Sequence, residues 1–325
     1  MTNESSTSVT RRRFAQASFG TGARLLLSGA CKGFSHEVSS SPARPASIKS
    51  VVLTHGAFAD GSSWSKVIPS LEAEGLNVTA VQNPLTSLAE DVTTTRRILA
   101  QQNGATILVG HSYAGFVITE AGNAPNVAGL VYVSSYGPDQ GESHDDLVKR
   151  FPVPAGISAI RTDEYGFLWI ARDKFHEAFM HDAEESYARI LATVQKPAAK
   201  KGCFGVPVSA PAWKSKRSWF LVSTDDYLIN PDLQRFMAKR MDATVRTVPS
   251  SHASLISHPQ RSPTSFLRQS AMRFERNKRR SNNSDWQSLQ TTRFNRRGGL
   301  WMTRLEGPLP LDHARFRAVG SCFPP

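Results

Sequence analysis

The stretch Ala105-Thr-Ile-Leu-Val-Gly-His-Ser-Tyr-Ala-Gly-Phe-Val-Ile-Thr119 constrains this chain more than any other. A β-branched and aliphatic run, Thr106 to Val109, enters the turn Gly110-His111-Ser112-Tyr113-Ala114-Gly115. An apolar segment able to wind into a helix leaves it. A serine at the point of so sharp a strand-to-helix turn has the form of a nucleophile elbow. The turn forces strained backbone angles on Ser112 and lifts its hydroxyl clear of the sheet. The chain crowds itself there, so the residues two before and two after must be small. Gly110 and Ala114 are, giving G-x-S-x-A with Gly115 one place late. A chance Gly/Ser turn would explain the tripeptide but not the strand and helix that flank it.

The rest of the chain supplies a sheet for such an elbow. Ser50 to Thr54 is a buried-strand run ending in His55-Gly56-Ala57-Phe58. Ser62-Ser63-Trp64 can cap a helix carrying Val67, Ile68 and Leu71 on one face, closed by Gly75. Asn77 to Val81 is a second strand run, and Ser87 caps a helical pattern through Leu88, Val92, Ile98 and Leu99, closed by Gly104. The elbow strand follows, then Gly129 to Val133. Short aliphatic runs alternating with helical patterns predict an α/β fold with a parallel sheet covered on both faces. The rhythm breaks over residues 138–215, where Phe167 to Ile170 and Phe175 to Val194 read as helix-like pieces. An insertion after a strand's C-terminal end lies over the site at that edge, so this segment is expected to form a helical cap. Ser218 to Thr224 resumes the sheet and runs into Asp225-Asp226. Asn230 and Pro231 start a helix with Leu233, Phe236, Met237 and Met241 on one face. Thr244 to Val248 is the sixth strand run, followed by Ser250-Ser251-His252.

The domain so defined runs over residues 50–276, with a last helix expected from Ser262 and Pro263 through Phe274. The two ends differ from it in charge. Residues 1–50 carry seven Lys/Arg against two Asp/Glu, and residues 261–325 carry thirteen against four. Residues 51–260 carry nineteen against twenty-one, so the net +12 of the chain resides in its ends. That distribution, with no interleaving of basic and aromatic residues, argues against a nucleic-acid partner. Thr10-Arg11-Arg12-Arg13-Phe14 resembles a twin-arginine export motif, and the stretch Ala15 to Ala30 and a Ser/Pro/Ala-rich segment follow it. Residues 1–49 are therefore expected to be an export leader and linker, which implies a periplasmic location. If the leader is not functional, the protein stays in the cytoplasm. Residues 277–325 are basic and aperiodic, the composition of a disordered tail. Cys31, Cys203 and Cys322 lie far apart with no C-x-x-C, which argues against a disulfide framework or a zinc site. No apolar run approaches membrane-spanning length, so no stable membrane anchor is expected.

A serine becomes nucleophilic when a base takes its proton, and the base needs an acid to fix its tautomer. Both should stand just past strand ends at the edge that carries Ser112. Asp225 and Asp226 follow the fifth strand run, and His252 follows the sixth, in the chain order Ser, Asp, His. His258 lies further from its strand, and His111 lies inside the elbow; both read as structural. The oxyanion of the tetrahedral intermediate needs backbone donors. The Tyr113 N–H follows the nucleophile, and the His55–Phe58 loop offers a second, most simply from Ala57. Phe58, Phe116 and Trp169 are candidates to line a substrate pocket, although cap aromatics such as Trp169 and Trp213 fit a core role equally.

Taken in order, these motifs resemble one family. They are His55-Gly-Ala-Phe58 with Trp64, Gly110-His-Ser-Tyr-Ala-Gly115, Ser223-Thr-Asp-Asp226 before Pro231-x-Leu-Gln-Arg-Phe-Met-Ala238, and Ser250-Ser-His252 before Ser257-His-Pro259. The family is the small α/β-hydrolases akin to plant methyl esterases and hydroxynitrile lyases, in bacterial form. The resemblance covers roughly residues 50–265. It implies an α/β-hydrolase fold with a mostly parallel six-stranded sheet, a helical cap, no metal, no cofactor, and a triad of Ser112, Asp226 and His252. It thereby favours Asp226 over Asp225. The lyases of the group usually carry lysine after the catalytic histidine and threonine after the first-strand histidine. Here those places hold Ala253 and Gly56, as in an esterase. The resemblance therefore implies a serine carboxylesterase for small, fairly apolar esters. A ligand-binding protein that kept the pocket, and a lyase-like enzyme, are the other readings.

Overall fold

The structure is a computed structural model that describes residues 48–261. The expectations for the export leader up to residue 47, for the helix from Ser262 and for the basic tail lie outside the described residues.

Nine strands and eight α-helices are described, in the order β1 Ile48–Thr54, α1 Ile68–Glu72, β2 Asn77–Ala80, α2 Leu88–Ala100, β3 Ala105–His111, α3 Ala114–Ala121, β4 Val127–Val133, α4 His144–Val148, β5 Ile160–Thr162, β6 Phe167–Ile170, α5 Phe175–Phe179, α6 Glu185–Val194, β7 Ala198–Ala199, β8 Arg217–Ser223, α7 Pro231–Arg240, β9 Thr244–Val248 and α8 Ser254–Ser257. The main sheet has six strands in the order β2-β1-β3-β4-β8-β9, and every pairing in it is parallel. All six strand runs of the sequence are strands of this sheet. The first begins at Ile48, two residues inside the expected leader.

Helices on both faces bury the central strands, which is why those strands are continuous apolar runs. Thr106 to His111 and Gly129 to Val133 are buried without interruption. Helix α2 turns Leu88, Val92, Thr95 and Leu99 inward at helical spacing. The Ser87 side chain caps it by accepting from the Glu90 N–H at 3.2 Å. Helix α7 opens on Pro231, and the Asn230 side chain accepts from the Asp232 N–H at 2.8 Å. Its buried face is Leu233, Gln234, Met237 and Ala238, so one inward residue is a glutamine. Phe236 lies at the rim, against the rings and guanidinium groups of Phe151, Arg150 and Arg240. The helix expected to start at Ser62 is split. Asp60 caps a short 3₁₀ turn, Gly61–Trp64, and α1 starts only at Ile68.

The cap needs a correction. Besides the helices α4, α5 and α6 it holds a three-stranded antiparallel sheet, β5-β6-β7. Phe167–Ile170, expected as a helix-like piece, is the middle strand of it. The physical reason lies in Gly166, which at φ +81° turns the hairpin, and in Asp163, whose carboxylate takes the Tyr165 and Phe167 N–H groups at 3.0 and 2.8 Å.

Candidate active site

The loops after β1, β3, β8 and β9 all leave the main sheet at one edge, the C-terminal one, where ligands of open α/β sheets bind. Thr54 pairs with Gly110, and His111 pairs with Val133. The register therefore sets the first-strand loop beside the elbow.

At the elbow, Ser112 has φ +55°, the left-handed region that an L-residue adopts only when its surroundings impose it. The surroundings are on both sides. The Ser112 N–H donates to Val133 O at 3.2 Å. The Ser112 carbonyl accepts from the Ser135 hydroxyl at 2.8 Å and from the Tyr136 N–H at 3.2 Å. Gly110 is tight, since a Cβ there would stand 2.9 Å from the Ala114 carbonyl oxygen. Gly115 is tighter still, with a Cβ position 1.8 Å from Tyr136 O. The late glycine of the G-x-S-x-A-G pattern is thus a packing requirement of this elbow against the β4 loop.

Three side chains from separate loops meet in one line. His252 Nε2 lies 2.8 Å from Ser112 Oγ, and His252 Nδ1 lies 2.8 Å from Asp226 Oδ2. The Asp226 carboxylate also accepts from the Leu228 and Ile229 N–H groups at 2.8 and 2.9 Å and from Gln234 Nε2 at 2.8 Å. With four donors around it, Asp226 acts as an acceptor on both oxygens. Nδ1 of His252 therefore carries the hydrogen, and Nε2 turns its lone pair to the serine hydroxyl. Asp226 and His252 are 3% and 1% exposed, so water does not compete for these bonds.

The competing residues stand elsewhere. Asp225 is exposed, with its carboxylate accepting from Thr224 Oγ1 at 3.3 Å. His258 bonds Ser257 at 3.0 Å and lies 3.6 Å from Asp182. His111 is fully buried, its ring 4.8 Å from that of His252, and its Nε2–H donates to the His252 carbonyl at 2.9 Å. Burial holds His111 well below the usual histidine pKa, so it is neutral.

The two expected oxyanion donors differ from their neighbours in being unclaimed. Among the described residues the N–H groups of Ala57 and Tyr113 donate to no backbone carbonyl, whereas Phe58 N–H donates to Lys196 O at 3.2 Å. The Tyr113 side chain is anchored behind the elbow, its hydroxyl donating to Asp91 Oδ2 at 2.9 Å. Of the three expected pocket residues, Phe58 lines a narrow cleft with Phe175, Phe179, Leu191, Val194 and Ile256 on one side and Asp60, Ser62, Ser63 and Gln195 at its polar margin. Phe179 joins that cleft to the site, its ring edge-on to His252 at 5.2 Å. Phe116 is packed in the core between Tyr113 and Tyr136. Trp169 sits in the cap hairpin with its indole N–H donating to Asp163 at 2.9 Å. Trp213 likewise is structural, its N–H donating to Pro138 O at 2.8 Å.

The sequence reading missed the cap's own contacts. His181 Nε2–H donates to the Asp225 carbonyl at 2.9 Å, beside Asp226. Asp182 accepts from the Ser251 N–H at 3.0 Å, beside His252. Burial alone would raise the Asp182 carboxyl, but the Ser251 hydrogen bonds outweigh it and hold the pKa below the usual aspartate value. Gln234, within the quoted Pro231-x-Leu-Gln segment, could have been found, because a glutamine on the inward face of an amphipathic helix needs a polar partner.

A parallel sheet with a strained serine between β3 and α3, under a cap, defines a serine hydrolase of the α/β type. Residues 51–262 match the model of the alpha/beta hydrolase family, and the chain belongs to that family. It is similar to a pyrethroid hydrolase of Sphingobium wenxiniae, 28% identical over 66% of this chain and 85% of that protein. It is also similar to a carbendazim-hydrolyzing esterase of a Nocardioides species, 32% identical over 33% of this chain and 50% of that protein. Among solved structures, a pyrethroid hydrolase superposes with a TM-score of 0.60 at 25% identity, covering 69% of this chain and all (100%) of that one. A methylesterase from Arabidopsis shares the fold, with a TM-score of 0.57 at 16% identity over 69% of this chain and 99% of that one.

Proposed function

We propose that this chain is a carboxylesterase for small, fairly apolar esters, working through Ser112, His252 and Asp226 with the Ala57 and Tyr113 N–H groups as oxyanion donors. The observation that carries this reading is the unbroken hydrogen-bonded line from Ser112 Oγ through His252 to Asp226, 2.8 Å at each step. His252 Nε2 takes the hydroxyl proton as Ser112 Oγ bonds to the ester carbonyl carbon, and the carbonyl oxygen becomes the oxyanion. The carbon–alkoxy bond then breaks, and the alcohol leaves with the proton from His252. Water, deprotonated by His252, attacks the acyl-enzyme. Ser112 Oγ departs and recovers the proton, and the acid is released. Asp226 orients the imidazole and offsets its positive charge without taking the proton.

The apolar rings of Phe58 and Phe179, the latter edge-on to His252, support an apolar acyl or alcohol group, and the hydrolase and esterase relatives support ester cleavage. The lyase alternative is disfavoured by Ala253 and by Gly56, where a Cβ would stand 2.7 Å from Ser112 Cβ. A binding protein on the same fold would take up esters without turnover. A series of p-nitrophenyl esters given to the purified protein separates these readings. Turnover is expected for short apolar acyl chains, with a loss on the order of a millionfold in Ser112→Ala. More than a tenth of wild-type activity in that variant overturns the assignment. The export reading rests on Thr10–Phe14 and on the Ala15–Ala30 and Ser/Pro/Ala-rich segments that follow it. Fusing residues 1–49 to a reporter, with Arg11 and Arg12 changed to lysine, tests it, and unchanged export or none at all overturns it.

A further inference from the structure

His55 is wholly buried at the end of β1, and the proposed chemistry leaves it without a task. Its two ring nitrogens face groups of fixed character. Nδ1 lies 2.9 Å from the Gly56 carbonyl oxygen, which can only accept. Nε2 lies 3.0 Å from the backbone nitrogen of Asn83, which can only donate. Together these contacts specify one neutral tautomer, with the hydrogen on Nδ1. Burial holds the imidazole pKa down to about 4, so that tautomer persists at neutral pH.

We infer that His55 is a positioning residue that aims the Ala57 N–H at the oxyanion. This rests on the Ser112 reading above. In a trans peptide the carbonyl and the following N–H point in opposite directions, so anchoring one sets the other. His55 anchors the Gly56 carbonyl, and the Ala57 N–H belongs to the same peptide plane. That plane lies directly against the nucleophile. A Cβ on Gly56 would stand 2.7 Å from Ser112 Cβ and 3.3 Å from Ser112 Oγ. The far side of the loop is held as well. Phe58 N–H donates to Lys196 O, and the Lys196 ammonium bonds the Asn83 carbonyl. Asn83 Nδ2 donates back to the His55 carbonyl at 3.4 Å. The loop is thus clamped on both flanks around one unclaimed donor. His55 touches no reacting atom; it acts through the peptide it holds.

Deleting an oxyanion donor typically costs about 10²–10³ in kcat, and loosening one should cost less, about 10–100-fold. Three variants of the full chain test this, each checked for folding by circular dichroism. His55→Leu removes both ring contacts. His55→Asn puts an amide nitrogen near the place of Nδ1, and His55→Gln puts one near Nε2. The leucine variant is expected to lose about 10–100-fold in kcat with little change in KM. Its affinity for a trifluoromethyl ketone, which forms an oxyanion on Ser112, should fall in parallel. The asparagine variant should recover most of both and the glutamine variant little. If the leucine variant does not fold, the asparagine–glutamine pair carries the test. A folded leucine variant with wild-type kcat, a kcat loss with unchanged ketone affinity, or equal asparagine and glutamine variants would overturn the inference. A fluorophosphonate probe should still label Ser112 in the variants, more slowly. Failure to label the wild-type protein would instead overturn the Ser112 reading, and the oxyanion role with it.

Discussion

In β3 of the main sheet, six consecutive residues from Thr106 to His111 are buried; in β5 of the cap, Arg161 and Thr162 face solvent and Ile160 is half-buried. The centre of the main sheet is covered on both faces, so its central strands are apolar almost throughout and their register is set by packing. The cap strands are two to four residues long and are held by turns and single polar ties. Gln195, for example, accepts from the Ile170 N–H at 3.0 Å and donates to the Ile170 carbonyl at 2.9 Å. The same division runs through the site. The sheet brings Ser112, Asp226 and His252 together, whereas the cap reaches the Asp226 and His252 loops through individual bonds to His181 and Asp182, and the loop after β1 through the Lys196 carbonyl. Changes on the sheet side should therefore abolish function, and changes on the cap side should tune it.

The largest expected effect is at the acid. Asp226→Asn removes the partner that fixes the His252 tautomer, and the comparable change in a serine-protease triad costs about 10⁴ in kcat. Asp225→Asn should stay within a few-fold of wild type. The same contrast is expected between His252→Ala and His258→Ala. Kinetics of the four variants on one ester, with circular dichroism for folding, measures both pairs. An inactive Asp225→Asn beside an active Asp226→Asn would exchange the acids but leave the sheet-side rule intact.

A cap tie should matter less. Asp182→Ala removes the acceptor of the Ser251 N–H, one residue before the base. A hydrogen bond to a charged group is worth roughly 1.5–3 kcal/mol net, and the His252 loop keeps its other anchors. We expect a fall in kcat of about tenfold with KM nearly unchanged. A loss as large as that of Asp226→Asn would place the cap within the catalytic machinery and break the comparison.

The smallest effect is on stability. His55 and His111 are buried and neutral, held down to about pKa 4 and well below the usual value respectively. The unfolded chain binds protons at both below about pH 6.5, where the folded chain does not, so their contribution to stability is lost as pH falls through that window. Asp91 works the other way. Burial raises its carboxyl to about 6, so the folded chain takes that proton first and gains stability between about pH 6 and the ordinary aspartate value. Burial lowers the His144 imidazole as well, so three histidines oppose one aspartate, and Tm should decline from pH 6.5 to 4.5. Calorimetry of Asp91→Asn should show a steeper decline, and a flat profile would contradict the neutral-histidine account.

The split between sheet and cap also sets what the sequence discloses. The central strands of the main sheet are visible as runs such as Leu130-Val-Tyr-Val133, because burial on both faces leaves no polar interruption, whereas the half-exposed edge strands Asn77–Ala80 and Thr244–Val248 are marked by their β-branched residues. The line Ser112–His252–Asp226 follows from where those runs end. The choice of Asp226 over Asp225 needed the family pattern. The structure gives it a local reason, because the Leu228 and Ile229 N–H groups turn back onto the second carboxylate and leave the first in solvent. The cap hairpin was not visible. Phe167 to Ile170 has no alternation to distinguish strand from helix, and its strand character comes from Gly166 and Asp163 before it. The ties from His181, Asp182 and Lys196 cross between distant parts of the chain, and no spacing announces them.

We expect Ser112, alone among the serines of the described residues, to be activated by its neighbours. Labelling the full chain with a fluorophosphonate and mapping the adduct by peptide mass spectrometry tests it most directly. The account predicts one adduct per chain, on the peptide that carries Ser112, lost in Ser112→Ala and strongly slowed in His252→Ala. An adduct on any other serine, or labelling that survives Ser112→Ala, would contradict it.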